Sequence, residues 1–306
     1  DQNQGFLTSI PDTEKERIVI VGGGFAGLEL VKALDNSDYQ VVMLDKRNFH
    51  TFQPLLYQVA TAGLEPDSVS APLREVVKGG DCFFRMAEVK HVNPENNLVE
   101  TSLGKLRYDK LIMACGANSQ FFGNEDVKQS SFPLKEVAEA YKLRKHLFNI
   151  FEKAVEMDDP EELDSMLNVV VVGGGPTGLE TAGALCELKK TVLSKDYPRL
   201  DFKKMQIYLI EGLNQVVPAM SDFASAKSRA YLESLGVHVK LDTLVESVDG
   251  DKINLSDGSH IRSKTLVWAA GVKGNVIEGL RDDANEKNRF VVDSYFKIRG
   301  YDNVYA

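Results

Sequence analysis

The amino-acid sequence has 306 residues, 43% of them apolar, and a formal net charge of −9 at pH 7. This length can supply two domains with cores of their own, and the acidic balance argues against nucleic acid as a partner. Three cysteines, Cys82, Cys115 and Cys186, and five scattered histidines lack metal-ligand or redox spacing, so we expect no metal site and a reducing compartment. Neither a secretory signal nor an apolar run long enough to span a bilayer is present, which predicts a cytosolic protein or one that a membrane holds by another part.

In chain order, the first predicted elements are a strand, a glycine-rich loop and a helix. The β-branched run Ile18 to Val21 leads into the loop Gly22 to Gly27, and an apolar segment with helical spacing begins there. In such a loop the glycines permit a tight turn, a close approach of backbone to a pyrophosphate, and packing of the helix on the strand. The next strand, Gln40 to Leu44, runs into Asp45, where a ribose hydroxyl needs an acceptor. Together these elements predict a dinucleotide pocket.

A β-meander and another buried strand complete the first half. The alternating stretch Phe83 to Ser102 bends at Asn93 to Asn96, and the strand from Leu111 ends in a turn of small residues at Ala114 to Gly116. Glycine at that turn lets the backbone pass close to a bound cofactor.

The same order of elements returns in the second half. Gly173 to Leu185 repeats the pattern of Gly22 to Leu34 after the run Val169 to Val172. Here the carboxylate is Glu211, after the strand Gln206 to Ile210, and no arginine adjoins it. A carboxylate repels a 2'-phosphate, so we expect NADH rather than NADPH. The remaining predicted elements are an extended helix and surface excursion over Leu188 to Lys204, a meander over Val237 to Ser256 with a bend at Asp249 to Asp251, and a strand from Leu266 to a turn at Ala270 and Gly271.

These elements predict an α/β protein of two Rossmann-like dinucleotide-binding domains, the second inserted in the first. The expected bounds are 14–131 for the first part of an FAD domain, 132–272 for an NADH domain, and 273–306 for the return to the FAD domain. A pyridine nucleotide delivers hydride and a flavin accepts it, so one pocket is assigned to FAD and the other to NADH.

Several residues also have a structural interpretation. Glu29 and Glu180 occupy the same position in the two copies, where a helix dipole stabilises any carboxylate; a structural or FAD-supporting role is favoured for Glu29, and both roles stay open for Glu180. Cys115 is interpreted as a small apolar residue rather than a thiolate, and Trp268 as core. His50 is assigned equally to the flavin region or to surface packing.

The stretch Asp45 to Gly63 resembles that of type II NADH:quinone oxidoreductases, as do Gly173 to Leu185 and Trp268 to Val272. The resemblance covers nearly all of the chain. It implies noncovalent FAD, NADH as donor, a membrane quinone as acceptor, and no proton pumping, with Glu180 near the nicotinamide and the electron-transfer region. The residues expected at FAD are Gly22, Gly24, Phe25, Ala26, Gly27, Asp45, Lys46, Phe52, Pro54, Gln58, Ala114 and Gly116. Those expected at NADH are Gly173, Gly175, Pro176, Thr177, Gly178, Glu211, Ala270 and Gly271.

Two departures from the family pattern affect these expectations. The usual threonine before the first turn's glycine is Cys115, a poor hydrogen-bond partner. The sequence also stops at Ala306, before the family's Gly-Asp pair at FAD, its quinone-site glutamines and its C-terminal amphipathic anchor. We therefore expect the chain to be part of a longer enzyme. The intact enzyme is expected to be peripheral on the cytoplasmic face of the cell membrane, and whether it forms a homodimer stays open. Alone, the part is expected to bind FAD weakly or not at all, to stay soluble, to keep an ordered NADH domain around Phe132 to Val272, and to have little quinone reductase activity.

Other functions stay open at this point. Disulfide reductases of this architecture carry a cysteine pair just after the first dinucleotide helix, and sulfide:quinone oxidoreductases also need redox cysteines; that region has none here, which disfavours thiol and sulfide substrates. A soluble acceptor such as ferredoxin or oxygen remains an alternative. A flavoprotein that senses NADH and signals through a partner is a second one.

Overall fold

A computed structural model describes residues 5–35 and 37–306. The chain divides into two compact units. The first unit contains the residues up to Thr51, Ser70–Asn118 and Lys273–Ala306, and the second contains Phe52–Val69 and Ser119–Val272.

The helices and strands alternate along both units. The helices are α1 (Phe25–Leu34), α2 (Leu56–Ala60), α3 (Leu73–Val76), α4 (Glu125–Ser130), α5 (Val137–Ala154), α6 (Pro160–Leu167), α7 (Pro176–Leu188), α8 (Ser194–Asp196) and α9 (Asp222–Ser234). The strands are β1 (Arg17–Val21), β2 (Gln40–Asp45), β3 (Phe49–Thr51), β4 (Ser70–Pro72), β5 (Cys82–Met86), β6 (Val89–Asn93), β7 (Leu98–Thr101), β8 (Gly104–Arg107), β9 (Lys110–Met113), β10 (Ala117–Ser119), β11 (Ser131–Pro133), β12 (Val169–Val172), β13 (Ile207–Ile210), β14 (Val237–Lys240), β15 (Val245–Asp249), β16 (Lys252–Leu255), β17 (His260–Arg262), β18 (Thr265–Trp268), β19 (Val272–Gly274), β20 (Asn285–Glu286), β21 (Arg289–Phe290) and β22 (Val304–Tyr305).

A parallel sheet forms the centre of the first unit, with the strand order β22-β9-β1-β2-β5. The central strand β1 is buried along its whole length, and Val19 pairs with Val42 on one side and Leu111 on the other. Such continuous apolar strands are typical of parallel sheets that are covered on both faces. An antiparallel sheet, β6-β7-β8, follows β5.

The second unit repeats this arrangement. Its parallel sheet has the order β11-β18-β12-β13-β14, and the antiparallel sheet β15-β16-β17 follows β14. In both units the strand before the glycine loop is central, and beside it lies the strand that ends in the carboxylate, as with Asp45, or just before it, as with Glu211. The predicted α/β fold with two Rossmann-like units is confirmed.

The units differ from the expected domain bounds in two segments. Residues 52–69 and 119–131 belong to the second unit, whereas the sequence placed both in the first. Residues 52–69 belong to the second unit because Leu56 and Val59 are fully buried in one apolar core with Leu143 and Leu147 of α5. Such non-local packing has no pattern in the local sequence.

The segment after α7 is also different from its prediction. The helix continues through a π-helical turn, Lys189–Leu193, into α8, as the expected extension requires. The following residues are not a loose surface excursion, since Tyr197, Phe202 and Met205 are buried in the core of the second unit. The two predicted meanders are confirmed as antiparallel sheets, although the first strand of each predicted stretch, β5 or β14, belongs to the parallel sheet.

Candidate functional site

The first glycine loop connects β1 to α1 and leaves no room for side chains at its ends. Gly22 has φ +113°, and a Cβ there would lie 2.2 Å from the carbonyl oxygen of Ala114. A Cβ at Gly27 would lie 2.0 Å from the carbonyl oxygen of Gly22, so this glycine lets the helix pack on the turn. At Gly24 a Cβ would meet nothing within 4 Å, which leaves open space at the start of α1.

The second loop, between β12 and α7, has the same three features. Gly173 has φ +109°, with the carbonyl oxygen of Ala269 2.6 Å from a Cβ placed on it. A Cβ at Gly178 would lie 1.8 Å from the carbonyl oxygen of Gly173, and one at Gly175 would again meet nothing within 4 Å. Pro176 begins α7, where its missing N–H costs no hydrogen bond.

The starts of α1 and α7 differ from those of α4, α5, α6 and α9. Among the described residues, no side chain caps either start, and neither first turn contains an acidic residue. By contrast, α4, α6 and α9 begin at Asn124, Asp159 and Ser221, whose side chains accept backbone N–H groups, and α5 has a capping box. Backbone N–H groups and the positive end of the helix dipole therefore remain at α1 and α7 for an anion. The glycine space and the uncapped helix starts fit two dinucleotide pyrophosphates.

A carboxylate lies beside each loop, as the spacing predicts. Asp45 accepts the N–H of Gly23 at 2.6 Å with Oδ2 and that of Arg47 at 2.7 Å with Oδ1. Glu211 accepts the N–H of Gly174 at 2.5 Å with Oε2 and that of Leu213 at 2.8 Å with Oε1. Because each carboxylate oxygen has a second lone pair, both groups can still accept ribose hydroxyls.

The small-residue turns that were expected at the cofactors lie against the loops. Ala114 contacts the first loop through its carbonyl oxygen, and Gly116 after it has φ +66°. In the second unit Ala269 takes the equivalent place, followed by Ala270 and by Gly271 with φ +69°. The side chain of Asn275 donates to the carbonyl oxygen of Cys115 at 3.0 Å and holds the first turn in place.

Other predicted residues surround the first loop. Phe25 is 46% exposed and packs edge to face on His50 with ring centroids 4.9 Å apart. His50 Nδ1 lies 3.0 Å from the carbonyl oxygen of Gly23, so the histidine supports the loop. Ala26 and Lys46 are exposed beside it. In the second unit, Thr177 follows Pro176 in the first turn of α7.

The predicted flavin-contacting segment belongs to the second unit. Phe52 and Pro54 are exposed, and Gln58 lines a groove of about 590 Å³ that Glu180 also lines. The contacts of this segment with a flavin stay predictions. The groove lies along α7, and its further lining includes Tyr57, Thr61, Gly63, Phe148, Leu179, Gly183, Glu187, Leu188, Tyr231 and Leu235.

The two matching glutamates have different surroundings. Glu29 forms an ion pair with Lys32, with 2.7 Å between Oε1 and Nζ, which supports its structural interpretation. Glu180 makes no hydrogen bond or ion pair within the part of the chain that the structure describes, and partial burial in the groove raises its pKa. A carboxyl group of this kind can keep and release a proton at a higher pH than a free glutamate.

The cysteines are not set up as nucleophiles. Burial raises the pKa of Cys115 to about 12, so its thiol stays protonated, in keeping with its interpretation as a small apolar residue. Trp268 is 6% exposed and donates to the carbonyl oxygen of Gln120 at 2.8 Å, which confirms it as core. Within residues 5–35 and 37–306, no group of three or more His, Cys, Asp and Glu side chains could hold a metal ion. The helices of that same part of the chain include none that is long and apolar enough to cross a membrane.

Sequence reasoning missed Asn275 and the groove walls. Asn275 follows a Gly274 that could have indicated a turn, but nothing local relates it to Cys115, which lies far away in the chain. The groove combines α2, α7 and α9, and apolar residues such as Tyr231 carry no signal that distinguishes a groove from a core.

This fold, with its paired glycine loops, defines the class of proteins with two dinucleotide-binding domains. The chain belongs to the pyridine nucleotide-disulphide oxidoreductase family, whose model matches residues 16–306.

Individual proteins that are similar to this chain point to one group within the family. The chain is 32% identical to the type II NADH:quinone oxidoreductase Ndh of Mycobacterium tuberculosis, over 95% of this chain and 66% of that protein. It is 31% identical to the external alternative NAD(P)H-ubiquinone oxidoreductase B1 of Solanum tuberosum mitochondria, over 100% of this chain and 56% of that protein. The solved structure of NDH2 from Plasmodium falciparum in complex with NADH superposes with a TM-score of 0.87 at 25% identity, over 95% of this chain and 63% of that one. The resemblance to type II NADH:quinone oxidoreductases is confirmed, and the chain spans at most about two thirds of these relatives.

Proposed function

We propose that the protein oxidises NADH with FAD as its hydride acceptor and passes the two electrons to a membrane quinone, without proton pumping. The observation that carries this proposal is the pair of uncapped helix starts, each with its glycine turn and its carboxylate. The name of the relative from M. tuberculosis supports NADH as donor and a quinone as acceptor, and the name of the NAD(P)H-ubiquinone oxidoreductase from S. tuberosum supports a quinone as acceptor.

In this proposal the first unit holds FAD. The N-terminus of α1, with Gly24 and Ala26, binds the pyrophosphate, and Asp45 accepts the ribose hydroxyls. Gly22 and Gly27 allow the backbone to reach this position. Bound FAD would supply a two-electron acceptor that can release electrons again to a second substrate.

The second unit holds NADH in the same way. The start of α7, with Gly175 and Thr177, binds the pyrophosphate, and Glu211 binds the ribose. A 2'-phosphate at Glu211 would meet a carboxylate whose oxygens already accept two backbone N–H groups, with no arginine beside it. The donor is therefore NADH rather than NADPH.

Glu180 is proposed as the proton-transferring residue at the acceptor. Reduction of a quinone to a quinol consumes two protons, and the raised pKa of Glu180 keeps a proton available in the groove. Since a membrane quinone is met at the bilayer surface, we expect the protein to work on the cytoplasmic face of a membrane.

Stopped-flow mixing of the FAD-loaded protein with NADH tests the proposal. NADH should bleach the flavin absorbance, and a soluble quinone should restore it. A flavin that stays oxidised although NADH is bound would refute the donor assignment. Bleaching with no recovery on quinone, but recovery on oxygen or ferredoxin, would replace the acceptor; recovery with none of them would favour an NADH sensor.

A further inference from the structure

Phe122 is an aromatic residue whose backbone lies in the left-handed region. Its φ is +53°, and that of Gly123 is +82°. The N–H of Asn124 donates to the carbonyl oxygen of Phe121 at 2.9 Å, so residues 121–124 form a tight turn with positive φ at both central positions. Such turns favour glycine or asparagine at the first central position, because the backbone crowds a larger side chain there. The turn itself therefore gives no reason for a phenylalanine.

The residues on either side hold this turn in place. Trp268 Nε1 donates to the carbonyl oxygen of Gln120 at 2.8 Å, and the N–H of Gln120 donates to the carbonyl oxygen of Gly271 at 3.3 Å. After the turn, Asn124 Nδ2 donates to the carbonyl oxygen of Glu246 at 2.7 Å. Because the turn is tied to the second unit at both ends, its aromatic side chain is carried in a fixed position.

The ring of Phe122 lies beside the turn that follows β18 but is not buried there. A Cβ on Gly271 would lie 2.7 Å from Cζ of this ring, so the edge of the ring contacts the glycine. Phe122 is nevertheless 69% exposed, whereas its neighbour Phe121 stacks on Trp268 with ring centroids 5.6 Å apart. Burial thus does not explain the Phe122 ring. A strained backbone that holds an exposed aromatic group indicates a ligand contact.

The strand order of the second unit gives the direction in which a dinucleotide lies. The strands β13, β12 and β18 are neighbours, and their last residues, Ile210, Val172 and Trp268, are paired at one level. In the proposed function, Glu211 after β13 binds the adenosine ribose, and the loop after β12 binds the pyrophosphate. The nicotinamide half then continues to the end of β18, where Gly271 lies.

We propose that Phe122 contacts the nicotinamide half of NADH. Its exposed ring forms an apolar wall that excludes water from one side of the ribose and the nicotinamide, which favours the bound nucleotide. This inference rests on the proposed function, since it takes NADH to be the nucleotide of the second unit. It assigns to Phe122 the recognition of the part of the nucleotide that carries the hydride.

Titration calorimetry of the FAD-loaded protein with NAD⁺ and with ADP tests this contact. NAD⁺ has the nicotinamide half and leaves the flavin oxidised, whereas ADP has only the adenosine half and both phosphates. Phe122→Ala should raise the Kd of NAD⁺ about fivefold and change that of ADP by less than about twofold. Phe122→Tyr keeps the ring and should bind both like wild type. The matched control Phe223→Ala removes a ring that is 73% exposed on α9 of the same unit, and should change neither Kd.

Phe122→Asn separates nucleotide binding from folding. Asparagine suits a left-handed position, so the urea midpoint of this variant should equal or exceed that of wild type, while the Kd of NAD⁺ rises as in Phe122→Ala. An unchanged Kd of NAD⁺ in Phe122→Ala would overturn the proposal, and a lowered urea midpoint in Phe122→Asn would then assign the ring to folding.

A Kd that rises equally for NAD⁺ and ADP would also overturn the proposal, because the ring would then act at the adenosine half or at the pyrophosphate. Failure of the wild-type protein to bind either nucleotide is a different result. It would refute the nucleotide site of the proposed function, and the contact of Phe122 with it.

Discussion

Glu211 is the residue that we propose determines the choice between NADH and NADPH. Its two oxygens accept the N–H groups of Gly174 and Leu213, which fix the carboxylate beside the second loop. Replacing it by Gln removes the charge that repels a 2'-phosphate and weakens the hydrogen bonds to a ribose. We expect Glu211→Gln to reduce the NADH-to-NADPH ratio of kcat/KM by about tenfold or more, corresponding to about 1 to 3 kcal/mol.

Asp45→Asn is the matched control, because Asp45 has the same position in the first unit. It should lower FAD retention and leave the nucleotide preference unchanged. If Glu211→Gln left the ratio of kcat/KM unchanged, the ribose acceptor would have to be another residue.

Glu180 gives a second residue-scale prediction, about proton transfer. Burial raises its pKa, so quinone turnover should fall as the pH rises through that value and the carboxyl group loses its proton. Glu180→Gln should lower quinone turnover by about a hundredfold and abolish this pH dependence, while flavin reduction by NADH stays unchanged. Glu187→Gln, on the same helix and in the same groove, is the control. Equal losses in the two variants would mean that the charge of the groove matters and not the proton of Glu180.

Much of the candidate nucleotide site could be predicted from the spacing of a few residues. The glycines and the carboxylates act through short-range sterics and hydrogen bonds, so their spacing specifies Gly22, Gly27, Asp45 and Glu211 without further information. Asn275 could not be found in this way, since its contact with Cys115 joins distant parts of the chain.

At the scale of elements, substitutions at different glycines of the two loops should affect folding and cofactor binding separately. In Gly27→Ala and Gly178→Ala the new Cβ would lie 2.0 and 1.8 Å from carbonyl oxygens, so the loop must shift. Each should lower the free energy of unfolding of the cofactor-free protein by about 2 kcal/mol or more. In Gly24→Ala and Gly175→Ala the Cβ meets no protein atom, so stability should change by less than about 1 kcal/mol.

Gly24→Ala and Gly175→Ala should nevertheless lose cofactor, because the new Cβ occupies the space that we propose for a pyrophosphate. Urea unfolding of cofactor-free protein and the release of FAD on dialysis measure the two effects. Normal FAD retention by Gly24→Ala would show that the pyrophosphate does not contact this loop.

His146 connects α5 to β18 and makes stability depend on pH. Its Nε2 lies 3.0 Å from both the carbonyl oxygen of Lys264 and Oγ1 of Thr265. Burial lowers its pKa, partly opposed by the hydrogen bond to Lys264. The unfolded chain therefore takes up a proton before the folded one, and stability is lost as the pH falls below about 6.5. In urea unfolding, acid pH should lower the free energy of unfolding less for His146→Gln than for wild type. For the exposed His260→Gln, acid pH should lower it as much as for wild type.

The elements themselves were predictable where a local pattern decides them. The buried runs of β1 and β12 and the bends of both antiparallel sheets follow from apolar periodicity and turn residues. The assignment of residues 52–69 to the second unit depends on the burial of Leu56 against Leu143, which no periodicity shows. The π-helical turn after α7 likewise had no signal in the sequence, since β-branched residues such as Thr191 and Val192 also occur in ordinary helices.

At the scale of the whole molecule, each unit has its own apolar cores. Val19 and Val42 belong to a core of the first unit, and Val169 and Leu209 to one of the second. The pyrophosphate and ribose contacts proposed for NADH lie in the second unit alone. We therefore expect FAD-depleted Gly24→Ala protein to bind NADH within about threefold of the wild-type Kd by titration calorimetry, since sites without shared partners behave additively. A loss of NADH binding together with FAD would show that the first site has to be filled before the second can form.

The bare starts of α1 and α7 have a consequence for the life of the protein in a cell. A helix start without a side-chain cap leaves backbone donors that only water or a ligand can satisfy, so the empty protein lacks stabilisation that its other long helices have from their own sequence. A dinucleotide present at a hundred times its Kd adds about 2.7 kcal/mol to the folded state. Freshly made chains that meet no flavin would then open more often and be degraded sooner. The supply of vitamin-derived cofactor would in this way set how many copies persist, before any question of turnover arises.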